Sequence, residues 1–597
     1  MPLYQELPDG IDTVDVIIAG GGTAGSIVAS RLSDSDPDLS VLLIERGANN
    51  EGDPLISYPA LYINHVMPNS TRAQFVKGNK SSPLADREPI LPVASVLGGG
   101  SSINMLMYSR AQRSDLDAWK TPGWSAEDLL GPMRKLETYH GRGPKEQHGF
   151  DGPIHISEGT HRSFRLQADF LDAIARVGWK EVEDLADLNT DNGAQRALSY
   201  ISPAGKRQDA ATCYLHPRLQ DGAHPNLHVL VESKVVKVLF AENKASGVVY
   251  QPNQGSAART VQARKMVILS SGAIGTPLIL ERSGVGDPEV LKQAGVEAVA
   301  DVPGVGVGYE DHINSTVSYK SSLEVPETLD GLANGKFDIP SMIASNDKIL
   351  GWNCLDATCK VRPNDADVAA LGPDFQKAWD AEFRSEPKKS MVMLTLIAAN
   401  SNDPFSVPVG QYFSTSAFLT HPFSRGYVHI TGPKLDDDID FDIGFFSDDG
   451  DIDLKTCRWA YKKQREIARR MGVYRGEVAL FHPLFPPESQ AACVDVDGPL
   501  PSDVADIKYT AEDDAVIDEW LRRTVATTWH SMGTCKMLPQ KEKGVVDASL
   551  SVYGVTGLKV ADLSIAPHNV SAHTNNLALS VGERAAEIFI EELGRRI

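Results

Sequence analysis

The stretch from Val14 to Glu45 constrains this chain more than any other. Val14-Asp15-Val16-Ile17-Ile18-Ala19 is a short apolar run of the kind that lies buried in a parallel sheet. Gly20-Gly21-Gly22-Thr23-Ala24-Gly25 follows directly, after which Ile27, Val28, Arg31 and Leu32 recur at helical spacing. A second apolar run, Val41-Leu42-Leu43-Ile44, ends in Glu45 and Arg46, both expected to contact the cofactor. Strand, glycine turn, helix and strand in this order predict a βαβ unit. Gly20, Gly22, Thr23, Ala24 and Gly25 bring backbone N–H groups and a helix N-terminus against a pyrophosphate, and Glu45 accepts from ribose hydroxyls. A glycine-rich turn with no ligand would share part of the spacing. NAD and FAD both use such a unit, so it predicts a dinucleotide without choosing between them.

Charge and composition narrow the partners. The 597 residues carry 58 Lys+Arg against 79 Asp+Glu, a net charge of −21, which disfavours nucleic acid and anionic lipid because both require clustered cations. No apolar run is long enough to span a membrane, and Met1 to Thr13 lacks the pattern of a signal peptide, so an intracellular protein, cytosolic or peroxisomal, is expected. The final Arg595-Arg596-Ile597 is not a Ser-Lys-Leu address. Six scattered cysteines form neither a disulfide framework nor a metal-binding spacing, and no metal site is expected. No internal repeat is present. Strand and helix signals concentrate at residues 14–47, 227–310 and 525–597, with more irregular Pro- and Asp-rich sequence between, as expected of a nucleotide-binding half assembled from discontinuous segments.

Further motifs choose the cofactor. Leu97-Gly98-Gly99-Gly100-Ser101-Ser102-Ile103-Asn104 is a loop able to bring backbone against a flat ligand, and Ser271-Gly272-Ala273-Ile274-Gly275-Thr276-Pro277 follows a strand-like run. With Val302-Pro303-Gly304-Val305-Gly306 before Asp311-His312, and Trp529-His530-Ser531-Met532-Gly533-Thr534-Cys535 near the end, these resemble the glucose–methanol–choline (GMC) flavin oxidoreductases along essentially the whole chain. Within that family the likeness is greatest to fungal and yeast alcohol (methanol) oxidases, including His421 to Gly426 and His482 to Pro486. Two positions depart from that subgroup: it carries Asn where this chain has His573 and an aromatic residue where it has Met105. Ala572-His573-Thr574 is instead similar to the aryl-alcohol oxidases. Flexible Met105 in place of a ring implies substrates larger than methanol.

The resemblance implies an α/β fold with an α+β substrate half. The expected division is a Rossmann-like FAD-binding domain from 1–160, 225–320 and 520–597, and a substrate domain with an antiparallel sheet and helices from 161–224 and 321–519. It implies noncovalent FAD, since Ile103 stands where some relatives bond a histidine to the flavin. It further implies that Leu97, Gly99, Asn104, Met105 and Trp529 lie beside the cofactor, that the Val235 backbone pairs with adenine, and that Ala561 and Asp562 meet the ribityl or pyrophosphate region. Asp562 could equally cap the next turn. Met105 and Trp529 are also the expected substrate-pocket residues.

Oxidation of a primary alcohol to the aldehyde requires an electron acceptor and a base for the hydroxyl proton. Imidazole suits the second role because its ordinary pKa near ~6.5 leaves it largely neutral at neutral pH. His530 is the expected base, and His573 the second group orienting the alcohol oxygen. Thr574 is the expected cap of a helix whose Leu577, Val581, Ala585 and Ile588 share an apolar face, and its dipole would face charge building up on a reduced flavin. With O2 as oxidant the second product is H2O2. A quinone-using dehydrogenase, a non-redox hydroxynitrile lyase, a non-catalytic FAD scaffold and an NAD-dependent dehydrogenase are the alternatives, and oligomeric state is left open.

Overall fold

The computed structural model describes residues 3–595 except 254, 256 and 502, so Met1, Arg596 and Ile597 lie outside the described residues. Two sheets organise the chain. The first runs Leu3–Tyr4, Leu227–Leu230, Val41–Ile44, Thr13–Ala19 and Arg259–Leu269 in parallel order, with Lys244–Pro252 and Ser233–Ala241 added antiparallel at one end. The last three residues of Arg259–Leu269 pair in parallel with Leu558–Val560 from the far end of the chain. Val16 to Ala19 and Val41 to Ile44 are buried on both faces, which explains their unbroken apolar runs.

The helix Thr23–Ser35 leaves the glycine turn and packs along the C-terminal helix Asn575–Glu592. Gly582 permits this approach: a Cβ there would meet the Ala24 backbone at 3.1 Å. Arg31 seals the pair by donating to buried Glu583 at 2.7 Å, and the Tyr214 hydroxyl donates to the same carboxylate at 2.6 Å. The N-termini of the two helices are thereby fixed relative to one another.

The second sheet is antiparallel throughout, in the order Tyr474–Glu477, Ile313–Ser321, Tyr412–Leu419, Val392–Ile397, Leu355–Val361 and Gly193–Arg196, with Ala526–Thr527 pairing at the start of Ile313–Ser321. The helix Ile452–Arg469 packs against Tyr412–Leu419, and Phe164–Val177 packs against that helix. Six strands and two long helices thus occupy what reads in sequence as irregular. Ile313–Ser321, expected in the nucleotide-binding half, belongs to this second sheet. Its apolar alternation does not reveal which neighbour will pair with it. Conversely Leu188, Ala211, Leu215 and Leu219 join the core of the first sheet, while Leu106 to Tyr108 and Ile154 to Ile156 join the core of the second. No helix among the described residues is long and apolar enough to cross a membrane.

Candidate active site

At one pole the backbone does the positioning. Gly25 lies where a Cβ would meet the Gly20 carbonyl oxygen at 2.1 Å, so only glycine closes this turn. Gly99, at φ +57°, brings the second glycine loop against the first, where a Cβ would sit 2.6 Å from Gly22 Cα. The Gly98 N–H donates to the Gly21 carbonyl at 2.8 Å, the Thr23 hydroxyl reaches the Gly98 carbonyl at 3.4 Å, and Leu97 is buried against Gly21. Gly22 caps the helix Thr23–Ser35 without a side chain, leaving the N–H groups of Thr23 and Ala24 in the open first turn.

Glu45 closes the far side of the turn. Its carboxylate accepts from the Gly21 N–H at 2.8 Å and the Gly47 N–H at 2.7 Å, and burial pushes its pKa up. Each oxygen keeps a lone pair for a hydroxyl. The Ser233 N–H donates to the Glu45 carbonyl, which brings the strand carrying Val235 alongside; Val235 is buried beside a bulge in that strand. Arg46 points elsewhere: its guanidinium donates to Gln74 at 2.7 Å and to the Ala94 carbonyl at 2.6 Å. Ala561 extends Leu558–Val560, its N–H on the Leu269 carbonyl at 2.8 Å. Asp562 spends its carboxylate inside the protein, accepting from Gly272 N–H at 2.9 Å, Thr276 hydroxyl at 2.6 Å and Ser564 N–H at 2.8 Å. It thereby caps two elements, as its alternative reading allowed, and Oδ1, with a single donor, keeps a lone pair.

At the other pole side chains converge. The His530 and His573 rings lie 5.2 Å apart between centroids, inclined at 83°; His530 is buried and His573 partly buried, with its Nε2 out of solvent. His573 is held by its own N–H, which donates to Ser109 Oγ at 2.8 Å, while its Nε2 has no partner within the protein. Burial holds its pKa down to about 4, with Lys360 adding to the effect. Burial and the neighbouring histidines His312 and His573 hold His530 well below the ordinary imidazole range. Both rings are thus neutral near neutral pH.

Sequence reasoning assigned no role to two residues that shape this pole. His312 Nδ1 lies 2.8 Å from His530 Nδ1. Phe418, on the strand Tyr412–Leu419, stacks on His312 at 4.8 Å and 18° and meets His530 and His573 edge-on at 5.5 and 5.0 Å. Asp311 supports them from behind: its carboxylate accepts from the backbone N–H of His312 at 2.7 Å and of His530 at 3.0 Å, and from the hydroxyls of Thr527 and Tyr309. Burial pushes the Asp311 carboxyl up to about 6. Asp311-His312 was visible in the sequence as the end of a glycine-rich motif. Nothing in the sequence marked Phe418.

Trp529 adopts φ +61° and leaves 37% of its surface exposed, next in sequence to His530. Asn104 is fixed by buried Arg207, whose Nη1 donates to the Asn104 side chain and carbonyl at 2.9 Å. Met105 is half-buried against the second core and its carbonyl accepts from Asn353 at 2.9 Å. Thr574 occupies the cap position of Asn575–Glu592 but adopts helical angles and makes no side-chain capping bond. The helix start is therefore open, and Asn575 Nδ2 and both polar atoms of the Asn576 side chain are buried there beside the Tyr200 hydroxyl without closing a hydrogen bond of normal geometry.

These features fit a bound flavin dinucleotide. The cradle between Gly22 and Gly99 admits backbone only, and the unpaired amides at the start of Asn575–Glu592 offer donors near the two histidines. The residues that would hold it are the Gly20–Gly25 turn, Glu45, Gly99 and the Asn104–Met105 segment.

The GMC oxidoreductase family description matches residues 14–314 with its N-terminal part and 422–582 with its C-terminal part. The "Alcohol oxidase" of Pichia angusta is 37% identical over 98% of this chain and 96% of its own length, and that of Candida boidinii 36% over 97% and 95%. An FAD-dependent oxidoreductase from Chaetomium thermophilum superposes with a TM-score of 0.79 at 25% identity, covering 98% of this chain and 100% of that one. A formate oxidase of Aspergillus oryzae shares the fold, with a TM-score of 0.82 at 22% identity over 97% and 98%. The chain belongs to the GMC oxidoreductase family, and FAD is the cofactor this membership implies.

Proposed function

We propose that this protein oxidises primary alcohols to aldehydes with noncovalently bound FAD and passes the electrons to O2, forming H2O2. The observation that carries the reading is the juxtaposition of two neutral imidazoles, buried His530 and partly buried His573, the second with a free Nε2. FAD, when bound, supplies the acceptor for the hydrogen and electron pair of the carbinol carbon.

The chain's own residues do the rest. His530 takes the hydroxyl proton, and its low pKa keeps it free to do so at neutral pH. His573 Nε2 meets the alcohol oxygen and orients it. The open helix start at Asn575 lends partial positive charge. Phe418 excludes water from the angle between the rings. Met105 and Trp529 border the pocket, and flexible Met105 admits alcohols larger than methanol. Ile103 offers no nucleophile for covalent attachment. The relatives' names support alcohols as the substrate class.

The test is a panel of aliphatic and aromatic primary alcohols with peroxide and aldehyde measured together. The reading expects the two products in equal amounts, with butanol or benzyl alcohol preferred to methanol. Aldehyde formed only when a quinone is supplied would replace the oxidase with a dehydrogenase, and cleavage of a cyanohydrin without flavin bleaching would replace it with a lyase.

A further inference from the structure

We infer that His312 is a positioning residue that sets the tautomer of His530: its Nδ1 accepts the hydrogen of His530 Nδ1, so that His530 keeps the lone pair of Nε2 for the alcohol proton. This rests on the reading of His530 as the base and deepens it.

The two Nδ1 atoms are 2.8 Å apart, with ring planes at 90°. At that separation one nitrogen must donate and the other accept, and the rings cannot both be charged. Neither ring is free to turn away. The backbone N–H groups of both residues hang on the same Asp311 oxygen, and Phe418 lies flat on His312 while meeting His530 with its edge.

The direction of the bond follows from the base reading: with His530 Nδ1 engaged by His312, Nε2 is the nitrogen left for the alcohol, and a neutral ring that takes a proton there carries its hydrogen on Nδ1. His312 Nδ1 is the acceptor of that hydrogen, and its own hydrogen sits on Nε2. The Nε2 of His312 is buried without a hydrogen-bond partner in the protein. In the opposite arrangement His530 Nε2 would bear hydrogen and could only donate to the alcohol.

The proton step balances within these groups. The alcohol O–H bond breaks, an N–H bond forms at His530 Nε2, the electron pair stays on the alcohol oxygen, and the new imidazolium is met at Nδ1–H by the neutral His312 lone pair. The other titratable and charged groups facing the pair are Asp311, His573 and His421, with Lys360 acting on His573.

Three variants of the FAD-bound protein test this. His312→Asn places an amide oxygen near the position of Nδ1 and still accepts; His312→Leu cannot; His312→Asp accepts with a negative charge. For His312→Leu the expected result is full FAD content, little change in KM and kcat lower by about 10- to 100-fold, the usual scale for losing a group that orients a functional histidine. His312→Asn should recover most of the rate, and His312→Asp should move the acid limb of kcat/KM to higher pH by holding a proton on His530. Nitrogen-15 spectra of histidine-labelled protein should show an unprotonated Nε2 for His530 in the wild type and a tautomer mixture in His312→Leu. Unchanged kcat and spectra in His312→Leu, or equal losses in His312→Leu and His312→Asn, would overturn the inference. Should leucine prevent folding, an acid limb that stays in place in His312→Asp does the same. Full activity in His530→Ala would instead remove the base reading itself, and so is distinguishable.

Discussion

The two poles of the site are built on opposite principles. Around Gly20–Gly25 and Gly99 everything depends on side chains that are missing, because one carbon added at Gly25 would collide with a carbonyl 2.1 Å away. Around His530 everything depends on side chains that are present, gathered from the second sheet, the loop after Ala526–Thr527 and the approach to Asn575–Glu592. The first pole is therefore vulnerable to bulk and the second to loss of a nitrogen, and the two kinds of damage should separate cleanly.

The largest expected effect lies at the second pole. His530→Ala should lower kcat by about 10²- to 10⁴-fold with FAD content unchanged, read by flavin absorbance and single-turnover rates. At the first pole, Gly25→Ala should do the reverse. It should cost about 1–3 kcal/mol of stability and most of the bound FAD, while the molecules that retain FAD turn over at the wild-type rate. A Gly25→Ala protein with full FAD and low kcat would erase the distinction between the poles.

His573→Leu should reduce kcat/KM by about 10- to 100-fold, and His573→Asn by less, because an amide can still meet the alcohol oxygen. The acid side of the pH profile sharpens the same point. Lowered pKa values keep both rings neutral on acidification, so kcat/KM should stay level from pH 7.5 to about 6 and fall only as the pH approaches the His573 value of about 4. A tenfold fall per pH unit beginning at pH 7 would show a base with an ordinary imidazole pKa. The smallest effect is expected at the pocket edge, where Met105→Phe should shift preference toward methanol by roughly tenfold without altering FAD content.

What could be read from the sequence follows from the same contrast. The glycine turn, its helix and Glu45 are local: the residues that make the unit are adjacent, and their spacing is the mechanism. His530 and His573 are read from motif and resemblance, whereas the helix start, expected to be capped by Thr574, is open in the structure. The strand Ile313–Ser321 straddles the expected boundary at 320 and pairs in the second sheet, with a partner that lies about a hundred residues away and leaves no local sign. Asp562 reads in sequence as a ligand or a cap, and the three groups donating to its carboxylate show the capping contacts. Phe418 was invisible, since a phenylalanine in a buried strand carries no sign that three histidines will surround it. Arg46 continues the Glu45 motif in sequence but is drawn off to Gln74 and Ala94 by a strand pair that the motif does not contain.

The central claim is that His530 draws the proton from an alcohol held against a flavin seated on the glycine turn. Its most direct test is rapid anaerobic mixing of the FAD-bound wild type and His530→Ala proteins with a primary alcohol, following the loss of yellow colour. The account predicts complete bleaching of the wild type and bleaching at least about a hundredfold slower in the variant at equal flavin content. Equal rates in the two proteins, or a wild-type flavin that no alcohol bleaches, would contradict it.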